Sequence, residues 1–182
     1  MGYGEAIRRY EAEVNALHRS VHEAYRQRDR SPAGRARWEA ATQAFHEHRT
    51  LVSDLLDDCL EHGIEGDAER RLFAFDFIDC DPFFFRSGYA LETLLRRMKA
   101  LSLTDDEIGI LRRLVLRRID RGGRREFKCV CRLIPLIDGS VFREEIAARS
   151  RSDRPRLGQR ALVAASYLPS HTGSVASGDG AP

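Results

Sequence analysis

Long apolar runs are missing from this sequence. No uninterrupted apolar stretch approaches the roughly 20 residues that a helix needs to cross a bilayer. The amino-terminal MGYGEAIRRYEAEV also has no apolar core of the length found in a signal peptide. We therefore predict a cytoplasmic chain without a membrane segment, and we expect its cysteines to be free thiols because the cytosol is reducing. The four cysteines are Cys59, Cys80, Cys129 and Cys131.

Motifs of catalysis, cofactor binding and metal binding are missing as well. There is no glycine-rich loop, no nucleophile motif and no repeat of fixed period. Cys129 and Cys131 are two residues apart, which directs their thiols about 200° apart on a helix, and no second cysteine pair has zinc-ligand spacing. His18 and His22 have the i, i+4 spacing that can bind a metal, but they lie off the apolar stripe of their helix. We predict no cofactor and no metal site, and leave metal binding by the hairpin histidines as an open question.

Net charge is small. The formal charge is +2, which gives no global attraction to nucleic acid or to a membrane. Its distribution is uneven: residues 1–95 carry 18 acidic and 12 basic side chains, whereas residues 96–132 carry 5 acidic and 12 basic ones. With 32% charged and 42% hydrophobic residues, the composition is typical of helices that have one apolar stripe and a wide solvated surface.

The amino-terminal third has the periodicity of two helices. Apolar residues recur at alternating spacings of three and four over residues 4–30, and the same spacing resumes over residues 38–59. A Pro-Ala-Gly sequence at 32–34 interrupts the pattern, which disfavours one continuous rod. Two long helices joined by a short turn bury their stripes by running antiparallel. We predict a coiled-coil-like antiparallel helical hairpin over residues 1–64, with His48 in its seam.

Shorter helices are predicted for residues 65–152. The sequence TDDE at 104–107 is a capping box, and the helix that it begins is expected to end at the glycine pair 122–123. Further helices are expected over residues 124–136 and from Val141 to about Ser150. These helices form a compact helical bundle.

Residues 153–182 shift in composition to Ser, Gly, Pro and Ala, and we predict a mostly disordered, flexible tail there. Residues 161–167 are the one apolar part of this tail that could pack against the rest of the protein. The predicted fold class is therefore all-α: the hairpin, the bundle and the tail.

The segment from Leu72 to Leu95 holds seven of the fifteen aromatic residues of the chain. Its alternating phenylalanines also fit a strand, but no second strand is available to pair with it, so we predict helix. Asp81-Pro82 is expected to be an N-cap followed by a first-turn proline, and Gly88 to allow close packing against the hairpin. We interpret the segment as the hydrophobic junction between hairpin and bundle. The residues assigned to this junction are Phe77, Asp79, Asp81, Phe84, Arg86, Tyr89 and Arg118.

Arg118 is expected to be buried. At 100° per residue Arg113 and Arg117 point away from the apolar arc of their helix, whereas Arg118 falls inside it. A buried arginine needs a carboxylate, and the candidates are Asp76, Asp79 and Asp81.

A catalytic interpretation of the junction is weighed against this structural one. Asp79, Asp81, Arg86 and Tyr89 most resemble an active site, because carboxylates buried beside aromatic rings can act as general acids. Capping and ion pairing explain the same residues without chemistry, and no nucleophile accompanies them.

The basic segment over residues 96–132 has two interpretations. Arginine side chains match carboxylates and phosphates, which is typical of a face that docks nucleic acid or an acidic partner. A solvated surface neutralised by the acidic first half explains the same charge. The residues assigned to this basic face are Arg113, Arg117, Arg121, Arg124, Arg125 and Lys128.

The functional prediction is a non-catalytic protein-interaction or adaptor module. Amphipathic seams, charge asymmetry and missing catalytic motifs support it. The expected partner is another protein, and a homodimer through the hairpin is one form that this takes. The alternatives are a nucleic-acid-binding accessory protein that uses the basic segment and, third, an enzyme with its site at residues 79–89.

Overall fold

The computed structural model describes residues 2–122 and 126–170. Within these residues the protein is all-helical and contains no strand, as the sequence predicts. The nine helices described are α1 (Gly4–Tyr25), α2 (Pro32–Glu47), α3 (Leu51–His62), α4 (Ala68–Cys80), α5 (Ser87–Met98), α6 (Asp105–Arg121), α7 (Phe127–Cys131), α8 (Ser140–Ser150) and α9 (Pro155–Ala165), with a 3-10 turn at Ile134–Leu136.

Helices α1 and α2 pack against each other as the predicted hairpin. The Ser31 hydroxyl caps α2 by accepting a hydrogen bond from the Gly34 backbone nitrogen, and Pro32 occupies the first turn. A Cβ atom at Gly34 would lie 2.2 Å from the backbone oxygen of Gln27, so this close turn requires glycine.

The second long helix of the hairpin is shorter than predicted. The periodicity over residues 38–59 continues across two helices, because α2 ends at Glu47 and α3 begins at Leu51. Thr50 starts α3 in a capping box with Ser53, whose hydroxyl accepts from the Thr50 nitrogen at 2.8 Å. The break turns α3 away from α2 and towards α4 and α5.

Helix α4 confirms the helical interpretation of the phenylalanine-rich segment, and Asp67 caps it. The prediction that Asp81 is the N-cap of the next helix is wrong. Asp81 is instead the C-cap of α4, in the left-handed conformation with φ 48°, and α5 begins only at Ser87. Residues 81–86 therefore form a loop, which we call the phenylalanine loop.

The capping box at Thr104 is confirmed, and α6 ends at Arg121 with Gly122 as its C-cap, as expected. The single helix predicted over residues 124–136 is not observed. The short α7 and the 3-10 turn around Pro135 replace its described part, because proline cannot continue an α-helix interior. Arg124 and Arg125 lie outside the described residues.

The predicted tail is partly wrong. Helix α9 lies within it and packs against α8 and α6, with Ala161 and Ala164 fully buried. The sequence leaves open whether residues 161–167 dock, and the structure packs Ala161, Ala164, Ala165 and Tyr167 against the core. The last part of the predicted tail, residues 171–182, lies outside the described residues.

One cluster of buried hydrophobic side chains extends from Ile7 in α1 to Ala164 in α9. It includes residues on both sides of the boundary predicted at 64/65, and the division of the chain at that boundary remains a prediction. Among the described residues, no helix is long and apolar enough to span a membrane.

Candidate interaction groove

An open groove of about 1120 Å³ lies between α1, α3 and α5. Aromatic and aliphatic residues form the larger part of its lining, and His46, Arg49 and Asp57 are among its polar and charged members. Apolar pockets that contain a few polar groups are typical of binding sites. Residues of four helices and of the phenylalanine loop contribute to it. Representative lining residues are Tyr10, Leu17, Phe45, Leu56, Phe85 and Tyr89.

The phenylalanine loop forms one wall of this groove. The Phe84 ring is buried and contacts Tyr10 and Phe77 edge-to-face, with ring centroids 5.3 and 6.2 Å away. Each such contact stabilises the fold by about 0.5–1.5 kcal/mol beyond the contribution of the apolar area that the pair buries. Phe84 therefore holds the loop on the core.

Hydrogen bonds to α1 fix the backbone of the loop. The Phe83 nitrogen donates to Glu11 Oε1 at 2.8 Å, and Asn15 Nδ2 donates to the Phe83 oxygen at 2.8 Å. With its backbone held at both groups, Phe83 directs its ring outward and remains 64% exposed.

The loop begins and ends at strained residues. Among the described residues, Asp81 with φ 48° and Arg86 with φ 71° are the two non-glycine residues with positive φ. This conformation costs on the order of 1–3 kcal/mol per residue and tends to persist where surrounding contacts enforce it, often at functional sites. Positive φ at both ends of the loop indicates that contacts with the rest of the protein enforce its conformation.

Arg118 and Asp81 form a buried ion pair beneath the loop. They are 3% and 8% exposed, and Arg118 Nη2 donates to Asp81 Oδ1 at 2.5 Å. The expectation that Arg118 is buried against one of three aspartates is confirmed, and the partner is Asp81. The pair joins α6 to the start of the phenylalanine loop.

Two more aromatic residues are exposed at the groove. Phe85 is 50% exposed and stacks on His18 with ring centroids 5.4 Å apart, while Phe45 of α2 lies 5.7 Å from it. Tyr89, in the first turn of α5, is 65% exposed. The Arg86 guanidinium lies 5.7 Å from the Phe85 ring centroid, within cation–π distance.

His48 lies at the break between α2 and α3, not within the continuous second helix that the sequence predicts, but its side chain still contacts α1. Its ring stacks on Tyr10 at 5.8 Å, and its Nε2 is 3.3 Å from Glu13 Oε2. Burial raises the pKa of the Tyr10 hydroxyl above its ordinary value, and nearby Asp57 adds to this.

The candidate catalytic constellation is not assembled. The Asp79 carboxylate accepts from Arg113 at 3.1 Å, while the Asp79 backbone oxygen accepts from Arg117. The Asp81 carboxylate pairs with Arg118, and its backbone N–H caps α4. Ion pairing of both carboxylates counts against the catalytic interpretation.

Several arginines of the basic segment bind the protein itself. Arg97 donates to the Leu60 oxygen at the end of α3, and Arg112 donates to the Ile137 and Asp138 oxygens. Cations are favourable at helix carboxyl ends, where carbonyl groups lack partners. Arg113 is exposed but paired with Asp79.

The predicted exposed face is therefore smaller than expected. Arg117 is half-buried, because it donates to the Ile78 and Asp79 oxygens at the end of α4. Arg121 and Lys128 are exposed, and Arg124 and Arg125 lie outside the described residues.

Two further expectations concern Gly88 and metal binding. A Cβ atom at Gly88 would lie 2.1 Å from Glu126 Oε1, so this glycine packs close to the start of α7 and not against the hairpin. No group of three or more potential metal ligands occurs in the part of the chain that the structure describes. The cysteines are free, and burial raises the pKa of Cys131 to about 12.

Comparisons of the chain with protein-family models, with curated proteins and with solved structures find no match. The groove is therefore interpreted from its own geometry. The sequence assigns Tyr89 to the junction and includes Phe85 in the aromatic segment, but it predicts neither the groove nor the contributions of Leu56 and Leu60, which depend on the turn between α2 and α3.

Proposed function

We propose that this protein is a non-catalytic interaction module and that the groove between α1, α3 and α5 is its protein-binding surface. One observation carries the proposal. Phe83 and Phe85 lie exposed on a loop whose backbone is fixed, and Tyr89 lies exposed in the first turn of α5, all beside the open groove.

Energetics favour an interface at this site. Aromatic residues dominate interface hot spots because they bury much area while losing little conformational freedom. Rings that a rigid loop already fixes lose still less on binding. The strain at Asp81 and Arg86 is consistent with a loop shaped for binding.

The nucleic-acid alternative has less support. Binding to the phosphate backbone needs several free cations on one face. Arg97, Arg112, Arg117 and Arg118 instead donate to oxygens of the protein. Retention on DNA or RNA at low salt that weakens steeply with added salt would favour this alternative.

Site-specific photo-crosslinking tests the proposal. A photoreactive phenylalanine analogue is placed at Phe85 and the protein is expressed in its own host. We expect discrete adducts with protein, identified by mass spectrometry. The matched control is the same analogue at Val141, which is 68% exposed but lies on α8, away from the groove.

Equal adducts from positions 85 and 141 would show that the groove has no preference for protein. The absence of adducts from position 85 would also contradict the proposal.

A further inference from the structure

Three exposed cations come together where α5 meets α7. Arg96 and Lys99 lie one turn apart at the end of α5, and Arg132 directly follows α7, which packs against α5. All three side chains are exposed, and they line one surface notch of about 40 Å³. We call these three residues the basic patch.

The basic patch differs from the neighbouring arginines in how little of its charge the protein neutralises. Between described residues, Lys99 and Arg132 form no ion pair, and Arg96 is 3.7 Å from Glu92, with both side chains more than 40% exposed. Arg97, in the same turn of α5, instead donates to the Leu60 oxygen. The patch therefore presents its charge to the solvent.

The Cys129 thiol lies in the same notch and responds to these charges. Burial, followed by Glu92, raises the pKa of Cys129, whereas Arg132 and Lys99 act to lower it. Cations from two helices thus lie close enough to act on one atom. Like charges that converge in this way repel each other, and Glu92 is the one carboxylate among the described residues that line the notch.

We infer that the basic patch docks an acidic segment of a partner protein. A carboxylate that enters between Arg96, Lys99 and Arg132 relieves their mutual repulsion, and arginine side chains match carboxylates geometrically. Lys128, exposed and one turn before Arg132, extends the positive surface towards a second carboxylate. The inference does not rest on the groove, because the groove and the notch share no lining residue.

An acidic protein segment fits this surface better than nucleic acid or a small molecule. A protein held on the phosphate backbone makes about 6–10 phosphate contacts, more than the patch and Lys128 supply. The described residues that line the notch include no aromatic side chain on which a base could stack. The notch is also far smaller than the roughly 300 Å³ or more of a small-molecule site.

Fluorescence anisotropy of the full chain with a labelled oligoglutamate peptide of about eight residues tests this inference. We expect saturable binding at about 50 mM salt that weakens as salt is added. Lys99→Glu combined with Arg132→Glu should raise the dissociation constant at least about 10-fold, because two attractive charges become repulsive. Lys99→Gln combined with Arg132→Gln, which removes the charges without adding repulsion, should give a smaller increase.

The matched control is Arg35→Glu combined with Arg37→Glu, which changes the net charge equally at two exposed positions of α2. It should change the dissociation constant by less than about 2-fold, because the screened charges lie outside the patch. Circular dichroism verifies that each variant keeps its helix content.

No binding of the peptide at low salt would overturn the inference, and so would equal losses of affinity in the two Glu double variants. A thymidine oligonucleotide of equal charge that binds more tightly than the peptide, and that the Lys99 and Arg132 substitutions release, would assign the patch to nucleic acid and overturn it as well. Photo-crosslinks from position 85 report on the groove separately, so failure at either surface is distinguishable from failure at the other.

Discussion

Asp81 and Arg118 differ in their environment from the other ion pairs between described residues. Both are almost fully buried, whereas the pair between Arg49 and Asp54 has side chains more than half exposed. Exposed pairs contribute little because water and salt screen them. Within a core, a charge that loses its counter-charge is strongly destabilising. The pair therefore lies where the phenylalanine loop leaves α4, at a position where loss of one partner is costly.

Replacement of Arg118 by alanine removes the buried cation that faces Asp81. We expect the free energy of unfolding to fall by about 3–5 kcal/mol, measured by urea denaturation. Arg121→Ala, an exposed position on the same helix, should change it by no more than about 0.5 kcal/mol. Equal decreases in the free energy of unfolding for the two substitutions would show that the buried pair stabilises the fold no more than an exposed arginine does.

The sequence predicts one half of this pair better than the other. Arg118 is identifiable because helical geometry places it within the apolar arc of α6. Its partner is one of three aspartates, and the choice depends on the left-handed backbone of Asp81. That conformation follows from how α4 ends against the core, which a local pattern does not contain.

At the scale of helices, a capping motif predicts the start of a helix correctly where all of its residues are present in the sequence. Thr104 and Glu107 satisfy the capping box in full, and the predicted start of α6 is confirmed. Thr50 uses Ser53 in place of glutamate, and apolar spacing continues through the break between α2 and α3. Periodicity therefore predicts one helix where two exist, and the groove that their junction borders is not predictable from spacing.

Glu107 links the start of α6 to α4. Its carboxylate accepts from Arg71 Nε at 2.6 Å and from the Thr104 nitrogen at 2.8 Å. The hydrogen bond from Arg71, followed by that from Thr104, lowers the pKa of Glu107 below its ordinary 4.5. A lowered folded-state pKa stabilises the fold above pH 4.5, and this stabilisation is lost as pH falls through the lowered value.

Glu107→Gln should therefore lower the free energy of unfolding at pH 7 by about 1–2 kcal/mol, through loss of the charged cap and its ion pair. The difference from the unsubstituted protein should shrink as pH falls from 7 through the lowered pKa, because the carboxylate then becomes protonated in the folded state as well as in the unfolded state. Urea denaturation over a series of pH values measures this. Asp106→Asn, in the same turn and exposed, is the control for the helix dipole alone. A deficit that is independent of pH would contradict the assigned role of the charge.

At the scale of the whole molecule, α9 shows how tertiary packing overrides composition. Residues 153–182 have the Ser, Gly and Pro content of a disordered segment, yet Pro155–Ala165 is a helix. Its small buried face allows close approach to α6 and α8, and Arg160 donates to the Ile119 oxygen at 2.7 Å. Most helical stability in proteins comes from such packing, which a composition-based prediction does not include.

The shared core should make the hairpin and α9 unfold together. The single tryptophan of the chain, Trp38, reports on the hairpin by fluorescence, while circular dichroism reports on all helices. Ala161→Val overpacks a fully buried site on α9, and we expect both signals to shift to lower urea by the same amount, equivalent to about 1–3 kcal/mol. Leu162→Ala, an exposed position on the same helix, should shift neither signal by more than about 0.5 kcal/mol.

If the Trp38 transition stays in place while the helical signal moves, the hairpin is an independent domain with the boundary predicted at 64/65. Coincident shifts would show that one cooperative core connects the interaction groove to the carboxyl-terminal helix.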